Sequence, residues 1–130
     1  ELRTDSAEAM AEAPFEQVGK AFVQHYYQTF DTNRAALASL YQDQSMFSWE
    51  GEKIQGAANI VAKLQALPFQ QVAHQVTSMD CHPTAGDGVL VMVCGNLKVE
   101  GEAADRPPLK YSQAFVLSPI PGGGGYWVLN

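Results

Sequence analysis

PFEQVGKAFVQHYYQTF, residues 14 to 30, decides how this chain folds. Phe15, Val18, Phe22, Tyr26 and Phe30 recur at spacings of three and four, the period of a helix that buries one face. Pro14 suits the first helical turn, where a missing N–H costs nothing. Val23 and Tyr27 widen the apolar face beyond a minimal stripe, so the helix is expected to contact a sheet and something else. Downstream, Asn33 is placed to cap a second short helix carrying Leu37 and Leu40. A third helix is expected between Gly56 and Leu67, with Ile60, Val61, Leu64 and Leu67 on one side and Pro68 just beyond.

From Gln70 onward the period changes to that of strands. Segments 71–81, 89–99, 110–117 and 126–129 are rich in Val, Tyr and Phe, and the clusters HPTAGDG, EGEAADRPP and PIPGGGG separate them. Helices first and consecutive antiparallel strands after them mean an α+β fold, with the helices on one face of a sheet. A sheet that must wrap a long helix curves, and a curved antiparallel sheet around the N-terminal helix makes a cone with a hydrophobic hollow. Residues 10–130 are expected to form that single domain. Residues 1–9, ELRTDSAEA, are polar and aperiodic and precede Met10, so they read as an expression remnant or a disordered extension. Asn130 falls inside strand-like sequence, and the last strand is expected to be cut short there.

The charge balance narrows the partners. Fourteen acidic against eight basic residues give a net charge of −6, which opposes nucleic acid and anionic membranes and favours a cationic protein surface. No apolar run approaches the roughly 18 residues of a spanning helix. Cys81 and Cys94 have no metal-ligand or C-x-x-C spacing and are expected to be buried, reduced thiols, as in the cytosol or nucleus. The GGGG at 122–125 lacks the lysine and the following helix of a phosphate loop, and no metal or cofactor site is expected.

SMFSWEGEKIQG, residues 45 to 56, sets Trp49 beside Glu50 between strand-like flanks. Neighbours on a strand point to opposite faces, so one can line a pocket while the other sits on its rim. That pairing suits a ligand carrying an apolar group and a cation together, although a strand tryptophan also serves as plain core. Glu100 and Glu102, one residue apart, fall on the same side of an extended strand end. They read either as a rim that converges on Glu50 or as a solvated acidic loop.

Together with FVQHYYQTFDTNRAALASLYQDQ at 22–44, LPFQQVAHQVTSMDCHP at 67–83 and GNLKVEGE at 95–102, this segment resembles the nuclear transport factor 2 family. The resemblance runs from about Phe15 to Asn130. It implies a homodimeric carrier of the GTPase Ran in its GDP state. Trp49, Leu67, Val72, Leu97 and Leu109 would line the hollow that takes a Ran phenylalanine, and Glu50, Glu100 and Glu102 would receive a Ran lysine. Phe15 and Asp31 would contact phenylalanine-glycine nucleoporin repeats. This chain has Glu at acidic positions where several relatives have Asp, and Phe15 where some have Trp. The loop from Ala103 to Pro108 is longer than in many relatives, which bears on Leu109, and family pocket residues beyond Asn130 have no counterpart here. The resemblance also implies residence in cytoplasm and nucleus with enrichment at the nuclear pore, no catalysis, no cofactor, no nucleic acid and no membrane insertion. Dimerisation is expected through an apolar sheet face with Met92, Val72 and Phe115-type positions.

Two other readings stay open. His25, His74 and Tyr26 invite an isomerase or dehydratase working in the hollow, for which a carboxyl or histidine must point deep into the cone. For His74, which alternates with Val72 and Val76, a hydrogen-bonded core or interface role is favoured. A peptide-binding scaffold would be marked by the failure of Glu50, Glu100 and Glu102 to converge.

Overall fold

A computed structural model of the chain describes residues 13–68, 71–99 and 107–130. Helix α1 spans Pro14–Thr32, with proline at its first turn and Glu16 favourably placed there against the helix dipole. Its buried residues include Phe22, Val23, Tyr26, Tyr27 and Phe30, the periodic set and its widened face. A 3-10 helix, Arg34–Leu40, follows; it is tighter than an α-helix, and Asn33 precedes it without a side-chain capping bond. The cap expected of Asn33 is therefore absent. Leu37 alone of this segment is fully buried.

Strands β1, Met46–Trp49, and β2, Glu52–Gln55, form a hairpin that is a two-stranded sheet of its own. Helix α2, Ala57–Gln65, comes next and buries Ile60, Val61 and Leu64. The main sheet has the order β3-β4-β5-β6, with β3 at Val72–Thr84, β4 at Gly88–Val99, β5 at Leu109–Pro119 and β6 at Tyr126–Val128. Every pairing is antiparallel. A register shift between Val76 and Ser78 inserts a residue into β3, and such a bulge bends and twists its strand.

Helix α1 lies across β3 and β4. Inward residues of the strands, among them Cys81, Val91, Val93, Phe115 and Leu117, are all but inaccessible to water. Helix and sheet approach closely at Gly19, where an added Cβ would lie 2.2 Å from the Cys81 Sγ. Only glycine lets the helix sit this near the sheet.

Three expectations are corrected by the packing. Cys94 is exposed, because alternation along β4 turns it to the outer face while Val93 and Val91 fill the inner one. Val72 and Phe115 do not share the exposed face of Met92, since both are buried in the core under the helix layer. Glu50 is not a strand neighbour of Trp49 but the first residue of the β1–β2 turn.

Candidate functional site: the hairpin tip and the aromatic core beside it

Trp49 pairs with Glu52 across the hairpin, leaving Glu50 and Gly51 as a two-residue turn. Both have positive φ, 47° and 87°, the signature of a type I′ turn whose twist matches its strands. Asn or Gly ordinarily occupies the first of these positions, because a Cβ there crowds the backbone. Glu50 holds it nevertheless, with an exposed side chain. Among the described residues no cation pairs with Glu50. Glu52, by contrast, is bound to Lys63 of α2 at 2.8 Å.

Trp49 is half-buried and stacks on Phe47 with ring centroids 6.2 Å apart and an interplanar angle of 12°. Leu67, just past α2, and Leu97 on β4 are also half-buried, and with Trp49 they pack against the core cluster that contains Val72. Leu109 is register partner to Leu97 at the start of β5, yet it remains 52% exposed. Four of the five expected lining residues are thus brought to one core, and Leu109 stands outside it. Glu100 and Glu102 lie outside the described residues.

Phe15 is half-buried in the first turn of α1 and packs against the core. Asp31 sits in the last turn and binds His74 twice. One carboxylate oxygen is 2.6 Å from the ring Nδ1 and the other accepts the His74 backbone N–H at 3.0 Å. The His74 ring stacks on Tyr27 at 4.4 Å and receives the edges of Phe30 and Tyr111. Burial lowers the His74 pKa, and the Asp31 carboxylate partly opposes that. Beside it the Arg34 guanidinium lies over the Phe30 ring at 4.9 Å and donates to the Leu64 carbonyl at 2.9 Å. Nothing in the sequence signals the Asp31–His74 contact, because 43 positions separate the two residues.

Tyr26 is fully buried, its hydroxyl 2.5 Å from that of Tyr41, and burial pushes its pKa up to about 12. His25 is exposed on the other side of α1. A cavity of about 290 Å³ opens between β1 and β5, lined by Tyr41, Met46, Phe47, Ser48, residues 112–115, Val128 and Asn130. No histidine, Asp or Glu among the described residues lines it. No three His, Cys, Asp or Glu among the described residues are grouped to hold a metal, and no helix among them is long and apolar enough to cross a membrane.

The family described as the nuclear transport factor 2 domain matches residues 18–130. Nuclear transport factor 2B of Arabidopsis thaliana is 52% identical over 118 residues, covering 90% of this chain and 91% of the relative. The solved structure of nuclear transport factor 2 from Cryptosporidium parvum superposes with a TM-score of 0.81 at 48% identity, covering 89% of this chain and 90% of that one. The yeast UBP3-associated protein BRE5, at 22% identity and a TM-score of 0.74 over 91% and 93% of the two chains, shares the fold alone.

Proposed function

The chain belongs to the nuclear transport factor 2 family, a transport factor and not an enzyme, and from that premise we propose that it carries GDP-bound Ran into the nucleus. The observation that carries this reading is Glu50. It presents a carboxylate at a hairpin tip, beside a half-buried tryptophan, in a backbone conformation that suits Asn or Gly better. Backbone strain of this kind clusters at functional and ligand-binding sites.

In this reading a Ran phenylalanine enters beside Trp49, against Leu67, Val72 and Leu97, with Leu109 at the outer margin. A Ran lysine meets Glu50, and the family resemblance assigns Glu100 and Glu102, outside the described residues, to the same lysine. An aromatic anchor in a desolvated pocket next to a charge pair is the usual make-up of an interface hot spot. Selection of the GDP state follows if the Ran segment that supplies both groups is placed differently with GTP, since the pocket then selects a conformation. The net charge of −6 steers a cationic surface towards it.

Phe15 and Asp31 form a weak external contact for phenylalanine-glycine repeats, and rapid release from such contacts suits passage through a pore. Two copies pair through the outer sheet face, where Met92 is 40% exposed. The carrier shuttles between cytoplasm and nucleus and is enriched at the pore.

Calorimetric titration with Ran loaded with GDP, and separately with a GTP analogue, tests the reading. Binding is expected only to the GDP form, and Glu50→Lys should cost roughly 2 to 5 kcal/mol of it. Unchanged affinity in a folded Glu50→Lys protein would remove Glu50 from the interface.

A further inference from the structure

Strand β3 is 13 residues long and stands at the edge of the main sheet, where among the described residues it pairs with β4 alone. Such an edge offers unpaired N–H and C=O groups to any strand that meets it, that of a second copy included. Which residues offer them follows from the ladder. The His74 N–H goes to Asp31 and not to β4, so the backbone groups of His74 point outward and those of its register partner Leu97 point to β5. Alternation along β4 then turns Asn96, Cys94, Met92 and Leu90 towards β3. The other side of the sheet agrees, since Val116 bonds Leu129 and Asn130, away from its register partner Leu90. Ser78, Asp80 and His82, opposite Cys94, Met92 and Leu90, therefore bond inward, and the backbone groups of Met79, Cys81 and Pro83 point out.

This outward row is closed at both ends and bent between them. At one end an Asp31 oxygen takes the His74 N–H at 3.0 Å, while the other oxygen, 2.6 Å from the ring Nδ1, holds the carboxylate in place. Helix α1 does not explain an acid there, because a carboxylate in a last turn opposes the helix dipole. Next along β3, the shift between Val76 and Ser78 makes Thr77 an extra residue, its hydroxyl donating to the Cys94 carbonyl at 3.0 Å, and a bulge spoils the straight edge that an incoming strand needs. At the far end Pro83, exposed and without an N–H, occupies an outward position, where it costs the β3–β4 ladder nothing.

We propose that Asp31, the bulge at Thr77 and Pro83 together guard the β3 edge, and that they keep two copies of this chain from joining edge to edge. Asp31 is the member brought in from another element, so its contact with His74 shields a sheet edge as well as tying α1 to β3. The guard is independent of Ran carriage and of the outer sheet face.

Sedimentation velocity over a range of concentrations tests it, on the wild-type chain, Asp31→Ala, Pro83→Val and the double variant. The double variant should form assemblies larger than the wild type's at concentrations about tenfold below those needed by either single variant, the worth of one or two added backbone bonds. Amide exchange at His74, Met79 and Cys81 should slow as they form. Pro83→Val keeps every contact of Asp31, so its association cannot come from a weakened core. Tyr41→Phe, which weakens the core away from β3, should stay at the wild-type size, as should Asp31→Asn, which still offers an oxygen to the His74 N–H. The proposal is overturned if the folded Pro83→Val and double variants both keep the wild-type size, if Tyr41→Phe associates as strongly as they do, or if assemblies form without protecting those three amides.

Discussion

Asp31 and His74 tie the end of α1 to the start of β3 through two bonds from one carboxylate, to the ring Nδ1 at 2.6 Å and from the backbone N–H at 3.0 Å. The histidine side chain is 7% exposed and the aspartate 23%. The ring stacks on Tyr27 on one face and meets Phe30 and Tyr111 edge-on, so the polar contact sits beside an aromatic wall.

Asp31→Ala leaves the His74 N–H and ring without their acceptor and should lower stability by about 1 to 3 kcal/mol. Urea unfolding measures this directly. A wild-type midpoint would refute the structural role.

Stability should fall on acidification through His74. Unfolded, its imidazole titrates near 6.5; folded, burial holds it lower, against the opposing pull of Asp31 and with Arg34 repelling the charged form. The unfolded state therefore binds more protons below about pH 6.5, and stability is lost as the pH drops through that window. His74→Asn should flatten this part of the stability profile, which denaturation between pH 7.5 and 5 would show. An unchanged slope would mean another group governs it.

Gly19→Ala brings its Cβ to 2.2 Å from the Cys81 Sγ. Alanine is favoured in a helix by about 1 kcal/mol, but forcing an atom into a packed core costs typically 1 to 3 kcal/mol. A net loss is expected. Cys81→Ala in the same chain should recover part of it, and thermal melts of the four proteins in the cycle give the coupling. Additive effects would show that the helix simply lifts away.

Tyr26→Phe and Tyr41→Phe each strand a buried hydroxyl and should cost about 1 to 3 kcal/mol. The double variant leaves none, so its loss should be well below the sum. Simple additivity in denaturant titrations would place the two hydroxyls on other partners.

Glu50→Asn should separate stability from binding. Asparagine tolerates the positive φ of 47° better than glutamate, so the hairpin should gain about 0.5 to 1 kcal/mol. The binding to Ran-GDP proposed for this chain should weaken through loss of the carboxylate. A variant that is stabilised and still binds as well would separate the turn from the interface.

Local rules carried the sequence reading a long way. The three-and-four spacing of Phe15 to Phe30 determined α1, alternation determined the strands, and the four segments determined the family, because period and order are properties of the chain itself. The composition determined the acidic balance. What needed the tertiary structure was every relationship between distant positions. Trp49 and Glu50 are adjacent in sequence, but only the hairpin register decided that Glu50 belongs to the turn. Cys81 and Cys94 read alike, and the side of the sheet facing α1 buried one and exposed the other. Asp31 met His74, and Leu129 bridged β1 to β5, because packing fixes pairs that no local preference encodes.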